Sequence, residues 1–159
     1  DLEAIKSAFQ GQDTVVHLAA SLGFTDWEAA LSANIVGAYN VYEASRLAGV
    51  KRVVFASSGA TARGFETVAP YDAIVAGRYD EVPEGFSKIT HEVTWPAGIY
   101  GAAKVWGEAL GRHYSDAYGI SILCIRFGHV VAENRPLSDS DYSRFTSHRD
   151  AADIVHRCT

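Results

Sequence analysis

Two side chains suited to proton transfer lie four residues apart near the start of a strongly helical segment. Tyr100 and Lys104 therefore project from one face of that helix, one turn apart. A phenol ordinarily has a pKa of about 10, and a neighbouring ammonium stabilises the phenolate, so the pair can act as a general acid or base near neutral pH. The spacing alone also fits a packed aromatic ring beside a solvated charge.

A hydroxyl that binds the substrate oxygen would complete such a site, and the sequence offers two of them at one strand end. Ser57 and Ser58 follow the strand predicted at residues 51–56. Because ligands bind open α/β sheets at the carboxyl ends of strands, Ser58 is the predicted hydrogen-bonding residue. Ser57 is the near alternative.

Helical and strand periodicities alternate along the chain, which predicts an α/β fold. Continuous apolar runs such as residues 14–20 are typical of parallel strands that are covered on both faces, and Cys124 in the third run is expected to be buried. The order is that of a doubly wound parallel sheet, a three-layer α/β/α domain over residues 1–159. The predicted helices cover residues 2–9, 26–47, 98–118 and 150–157, and the predicted strands cover residues 14–20, 51–56 and 120–125.

Residues 60–96 interrupt this alternation. They include three of the four prolines and show no sustained periodicity. We predict a long loop or insert with a short helix, and loops of this length are usually functional or disordered.

Composition and charge exclude several kinds of partner. The 159 residues have a formal charge of −5 and no basic run, which argues against nucleic acid. No apolar stretch reaches the roughly 18 residues of a membrane span, so no membrane contact and a soluble, cytoplasmic protein are expected. The six histidines lack paired ligand spacing, so no metal site is predicted. The chain starts at Asp1 and contains no methionine, so we expect it to be an incomplete reading frame.

Several segments together resemble one family, in the family's order. Residues 13–20 read D-T-V-V-H-L-A-A, residues 34–58 resemble the next helix and strand, and residues 89–96 resemble the lead-in to an active tyrosine. Residues 100–108 match the block Y-G-x-x-K-x-x-x-E. The chain is thus similar to the extended short-chain dehydrogenase/reductases, the NAD-dependent epimerase/dehydratase family, with a Rossmann-type fold that is incomplete here.

The resemblance implies roles for individual residues. Tyr100 would transfer the proton, Lys104 would lower its pKa and bind the nicotinamide ribose, and Ser58 would bind the substrate oxygen. Asn34 would support the lysine through water, although a purely structural hydrogen bond is the alternative for that residue. The cofactor would contact Ala19, Ala20 and Gly128, and the substrate would contact Ser57 and His129. For His129, a histidine whose hydrogen bonds are satisfied within the core is the alternative.

The chain departs from the family's pattern at its ends and in the insert. The glycine-rich phosphate loop, G-x-x-G-x-x-G, does not occur in the 159 residues and is expected ahead of Asp1. NAD and NADP therefore cannot be distinguished, and we expect dinucleotide binding by this chain alone to be weak. Residues 65–88 lengthen the interval between Ser58 and Tyr100, and the family's substrate-binding lobe would follow Thr159.

The resemblance implies an NAD(P)-dependent enzyme that acts on a sugar, sugar nucleotide or uronic acid. The turn at residues 126–128 and residues 133–136 favour the uronate-dehydrogenase-like branch. A homodimer through the helices at 26–47 and 98–118 is also implied.

Two other functional interpretations were weighed. The first is a non-catalytic binding or scaffolding module on the same fold. The second is a hydrolase that uses Ser58, His129 and Asp150, which is disfavoured because Ser58 lacks a G-x-S-x-G turn. For His148 and Asp150, a packing role is expected.

Overall fold

A computed structural model describes residues 1–23 and 25–159 and contains one parallel sheet. Its strands are β1 (Thr14–His17), β2 (Arg52–Ser58) and β3 (Ser121–Phe127), in the order β1-β2-β3. The register aligns Thr14 with Arg52 and Arg52 with Ser121, so all three strands end along the same edge. This arrangement confirms the predicted Rossmann-like α/β fold.

Helices connect the strands at nearly the predicted positions. They are α1 (Leu2–Ala8), α2 (Trp27–Ala29), α3 (Gly37–Ala48), α4 (Tyr71–Val75), α5 (Gly98–Tyr118) and α6 (His148–Cys158). The predicted helix at 26–47 is a continuous helical run whose middle section, Ala30–Val36, is π-helical. Gly49 and Gly119 end α3 and α5 with φ angles of 75° and 71°, a left-handed conformation that glycine adopts without steric cost.

The core lies between the sheet and helices α3 and α5. Helix α5 approaches the sheet closely where its inner face carries glycine: a Cβ on Gly107 would lie 2.5 Å from the Phe55 ring. Ala109 of this helix is exposed although it is apolar. The residues that α5 buries are Tyr100, Gly101, Ala103, Lys104, Gly107, Gly111 and Tyr114.

The opposite face of the sheet is only partly covered. Side chains alternate across a strand, so Ala56 points away from α5 and towards α6, whose Cys158 carbonyl accepts a hydrogen bond from Arg52. Val16 is 37% exposed on this face, so the prediction that the first strand is covered on both faces was wrong. Cys124 is also exposed, contrary to expectation, because β3 is an edge strand with a neighbour on one side only.

The segment at 60–96 contains one short α-helix, α4, and 3-10 turns at Gly59–Thr61, Arg63–Thr67 and Tyr79–Glu81. Its two ends are joined by backbone hydrogen bonds, from Gly64 N–H to the Trp95 carbonyl (2.7 Å) and from Trp95 N–H to the Thr61 carbonyl (2.9 Å). The Phe65 ring packs edge-on against Trp95, with centroids 5.2 Å apart. The segment therefore leaves and rejoins the domain at one place, between Ser58 and Tyr100.

Within residues 1–23 and 25–159, none of the helices combines the length and apolarity that crossing a membrane requires.

Candidate active site

A cavity of about 520 Å³ opens at the carboxyl ends of β2 and β3. It brings together Ser58, Tyr100 and Lys104, the three residues predicted from sequence to perform the chemistry. Four further predicted contact residues line it: Ala20, Ser57, Gly128 and His129. Its remaining lining residues are Leu18, Leu22, Ala56, Gly59, Ala60, Arg63, Glu66, Phe127, Val130 and Arg144.

The turn after β2 orients Ser58. Its hydroxyl oxygen accepts a hydrogen bond from the Ala60 N–H (3.1 Å), and its carbonyl accepts one from the Thr61 hydroxyl (2.8 Å). The neighbouring Ser57 is buried, and its hydroxyl donates to the Glu108 carboxylate at 2.5 Å. Of the two serines, Ser58 is the one whose side chain forms a hydrogen bond that lowers the pKa of the Tyr100 phenol.

Tyr100 lies in the first turn of α5, at a point where the helix nearly touches the chain after β2. A Cβ on Gly101 would lie 2.5 Å from the Ala60 carbonyl oxygen, so a glycine there permits the contact. Burial raises the pKa of Tyr100 because it disfavours the phenolate, while Ser58 and Arg63 act in the opposite direction.

Lys104 is only 3% exposed, and its ammonium donates a hydrogen bond to the Ala56 carbonyl at 2.6 Å. Its Nζ lies 4.9 Å from the Phe55 ring centroid and 5.6 Å from that of Tyr100. Burial lowers the pKa of Lys104 to about 8.

Lys104 was expected to lower the pKa of Tyr100, but the pKa of Tyr100 in this structure is raised. A lysine with a pKa of about 8 has lost its charge before a phenol titrates above its ordinary pKa, so it does not stabilise the phenolate in that range. The cation that lowers the pKa of Tyr100 in this geometry is the guanidinium of Arg63.

Two predicted residues lie outside the cavity. The Asn34 side chain accepts a hydrogen bond from the Ser21 N–H (2.8 Å) and donates one to the Ser21 carbonyl (2.9 Å). It thereby fixes the segment after β1 from which Ala20 reaches the cavity. Ala19 in that segment is exposed to solvent. The cofactor role of Ala19 and the lysine-supporting role of Asn34 stay predictions.

Glu108 and Arg126 form an ion pair behind the cavity to which the sequence analysis gave no function. The Arg126 guanidinium donates two hydrogen bonds to the carboxylate, at 2.8 and 2.7 Å, and a third to the Val93 carbonyl at 3.1 Å. Burial acts to raise the pKa of Glu108, but Arg126 and Ser57 outweigh it and hold that pKa below its ordinary value. The signal in the sequence was the position of Glu108, one helical turn after Lys104.

His129 borders the cavity, as predicted, and its carboxylate partner is Asp141. The His129 Nδ1 lies 2.7 Å from the Asp141 carboxylate, which is buried. The hydrogen bonds from His129, from the Leu137 N–H and from the Ser138 side chain lower the pKa of Asp141 to about 2. Asp150 instead lies in the first turn of α6, where the N-cap residue Ser147 accepts a hydrogen bond from its N–H and donates one to its carboxylate. The pairing needed for a hydrolase is therefore absent among the described residues.

Three charged residues on the wall of the cavity were also missed. Glu66 lies between two guanidinium groups: Arg144 donates to it at 3.3 Å, and the Arg63 Nε lies 3.8 Å away. Arg63 and Glu66 share the turn Arg63–Thr67, but Arg144 comes from a distant segment, so no local sequence pattern connects all three.

Comparisons with known proteins agree with this geometry. Residues 1–154 match the sequence profile of the NAD dependent epimerase/dehydratase family. The L-arabinose 1-dehydrogenase (NAD(P)(+)) of Haloferax volcanii is 39% identical over 82% of this chain and 50% of its own length. The crystal structure of uronate dehydrogenase from Agrobacterium tumefaciens is similar with a TM-score of 0.79 and 30% identity, over 98% of this chain and 52% of that one.

A mutant of that uronate dehydrogenase, solved in complex with NAD, has a TM-score of 0.75, again at 30% identity over 98% of this chain and 52% of that one. The chain spans about half the length of the curated relatives it matches.

Proposed function

Because the chain belongs to the NAD-dependent epimerase/dehydratase family, we propose that the protein is an NAD(P)-dependent oxidoreductase whose reaction takes place in the cavity at Ser58, Tyr100 and Lys104. The observation that supports this most strongly is that the three side chains border one cavity, although 42 residues separate Ser58 from Tyr100 in the sequence. We propose as substrate a sugar, a sugar nucleotide or a uronic acid. The names of the relatives include both neutral and acidic sugars.

The residues around the cavity fit a nicotinamide cofactor. Lys104 has three N–H donors, and the Ala56 carbonyl accepts one of them, which leaves donors suited to ribose hydroxyls. Ala20 and Gly128 offer small side chains at the strand ends. The cofactor would supply the acceptor or donor of the hydride, and NAD and NADP are both compatible with these residues.

In the oxidative direction, Tyr100 takes the proton of the substrate hydroxyl and Ser58 holds the same oxygen by a hydrogen bond. Tyr100 must reach the phenolate near neutral pH, which for an ordinary phenol costs about 4 kcal/mol. Burial in this cavity adds to that cost. A positive charge beside the phenol is therefore needed to stabilise the phenolate. Arg63 and Lys104 are the cations that border the cavity near the Tyr100 ring.

The test is turnover of a panel of neutral sugars, uronic acids and sugar nucleotides by the full-length protein with NAD and with NADP. We expect Tyr100→Phe to reduce kcat at least about 100-fold, because general acid–base catalysis contributes about that much or more. Tyr142→Phe is the matched control, since Tyr142 is 70% exposed and removed from the cavity wall. Undiminished turnover by Tyr100→Phe would refute the proposal.

A binding experiment separates this function from a non-catalytic scaffold. Calorimetry should show NAD or NADP binding to the full-length protein and weaker binding to Lys104→Met. Absence of binding by either cofactor would favour the scaffold.

We also propose that the protein forms a homodimer through the helical run 27–48 and α5. Exposed apolar side chains on these elements support it, including Val36, Tyr39, Leu47 and Tyr118. Sedimentation of the protein and of Tyr39→Glu tests it. A monomeric wild-type protein would contradict it.

A further inference from the structure

Arg63 differs from the other cationic residues of the cavity in its hydrogen bonding. The Arg144 guanidinium donates to Glu66 at 3.3 Å and to the Ser140 hydroxyl at 3.1 Å. The nearest carboxylate oxygen to Arg63, on Glu66, is 3.8 Å from its Nε, which is too long for a hydrogen bond. Among the residues that the structure describes, none accepts a hydrogen bond from Arg63, and its Nε is buried.

The charges on the cavity wall are unbalanced. Arg63, Lys104 and Arg144 border it, and Glu66 is the one carboxylate among the described lining residues. Asp141, behind the wall, is already bound to His129 and to two backbone N–H groups. Since Glu66 lies closer to Arg144 (3.3 Å) than to Arg63 (3.8 Å), Arg63 is the less compensated of the two guanidinium groups.

Arg63 also lies where the substrate would react. It borders the same cavity as Ser58 and Tyr100, and its charge acts on the Tyr100 phenol. The turn that contains it, Arg63–Thr67, is fixed by the backbone hydrogen bond between Gly64 and Trp95. A Cβ on Gly64 would overlap the Trp95 ring, so the turn has little freedom to move away.

A half-buried guanidinium with unused donors is suited to an oxyanion, because its planar fork matches the two oxygens of a carboxylate or phosphate. We propose that Arg63 binds an oxyanion substituent of the substrate, beside the carbinol that reacts at Tyr100, and so selects anionic sugars over neutral ones. Glu66, held by Arg144, fixes the position of the guanidinium. This inference rests on the proposed function.

The experiment measures kcat/KM of the full-length protein for matched sugars: glucuronate, glucose 6-phosphate and glucose, and galacturonate with galactose. We expect Arg63→Gln to lose about 10- to 100-fold more in kcat/KM for the preferred anion than for the neutral sugars, whose smaller loss reflects the charge that Arg63 also places beside Tyr100. Arg63→Lys keeps the charge but lacks the planar guanidinium. Its kcat/KM for the preferred anion should lie between that of the wild type and that of Arg63→Gln. Arg157→Gln is the matched control, since Arg157 is exposed and paired only with Asp153 on α6.

The two anionic arms identify the group: a loss confined to the uronates indicates a carboxylate, and a loss confined to glucose 6-phosphate indicates a phosphate. Equal losses for anionic and neutral sugars would overturn the inference while leaving the proposed function intact, whereas inactivity of the wild-type protein towards every sugar would count against the proposed function. In that case calorimetry with glucuronate and glucose 6-phosphate still decides. Binding that Arg63→Gln abolishes supports the inference, and no binding of either anion refutes it.

Discussion

Replacing Lys104 with methionine would separate the electrostatic cost of this residue from its role in the chemistry. Burial lowers the Lys104 pKa from its ordinary 10.5 to about 8. At pH 7 the folded and unfolded states both hold the proton, so the folded state bears the full cost of a buried charge. That cost corresponds to about 3 kcal/mol.

The variant also loses a favourable contact. The ammonium donates to the Ala56 carbonyl at 2.6 Å, and losing such a bond costs about 1 kcal/mol. Methionine has a similar length and fills the space beside Phe55 without a charge. We therefore expect Lys104→Met to be more stable than the wild type by about 2 kcal/mol at pH 7, although it should be inactive.

The ionisation of Lys104 also makes the free energy of unfolding depend on pH. Between pH 8 and pH 10.5 the unfolded wild-type chain binds more protons at this residue than the folded chain does, so this residue makes stability rise with pH. Lys104→Met should lack that rise.

Urea unfolding at about pH 7 and about pH 10 measures both quantities. Lys51→Met is the control, since Lys51 is exposed and paired only with Asp13. A variant less stable than the wild type at neutral pH, or one that keeps the rise, would show that Lys104 is not a destabilising buried charge.

Three further predictions follow from the packing around the site. Burial lowers the pKa of His17 to about 4, so the unfolded chain takes up the proton first as pH falls below 6.5. The free energy of unfolding should therefore drop by up to about 3 kcal/mol on acidification to about pH 4. Urea unfolding of His17→Phe should lack this drop. Glu108→Gln leaves Arg126 without its carboxylate and should lower the free energy of unfolding by about 2 to 4 kcal/mol in the same assay. An unchanged free energy would indicate that solvent weakens this ion pair. Gly101→Ala places a Cβ 2.5 Å from the Ala60 carbonyl oxygen, so it should lower the free energy of unfolding by about 1 to 3 kcal/mol and also reduce kcat. Unchanged values of both would mean that α5 can shift to make room.

The sequence was sufficient to predict the order of the elements and to select three side chains that border one cavity, Ser58, Tyr100 and Lys104; their catalytic roles stay predictions. Gly49 and Gly119 signalled the ends of two helices, and strand-end chemistry selected Ser58 as the partner of Tyr100. These predictions succeeded because they depend on local backbone preferences and on the rule that parallel strands end along one edge.

Other features depend on contacts between distant residues, which periodicity does not report. The inner face of α5 is formed by glycines such as Gly107, which hydrophobic patterns do not count as apolar. The pairing of His129 with Asp141 and the proximity of Arg63 to Arg144 arise from folding of irregular segments. The exposure of Val16 reflects how the layers cover the sheet, which the strand's own residues do not determine.

The central claim is that Ser58 and Tyr100 act together on one substrate oxygen. A double-mutant cycle tests it most directly, with kcat/KM measured for the wild type, Ser58→Ala, Tyr100→Phe and the double variant. If both groups bind the same oxygen, the double variant should be within about threefold of Tyr100→Phe, because the second change removes an interaction that the first has already disabled. Losses that multiply independently would contradict a shared site.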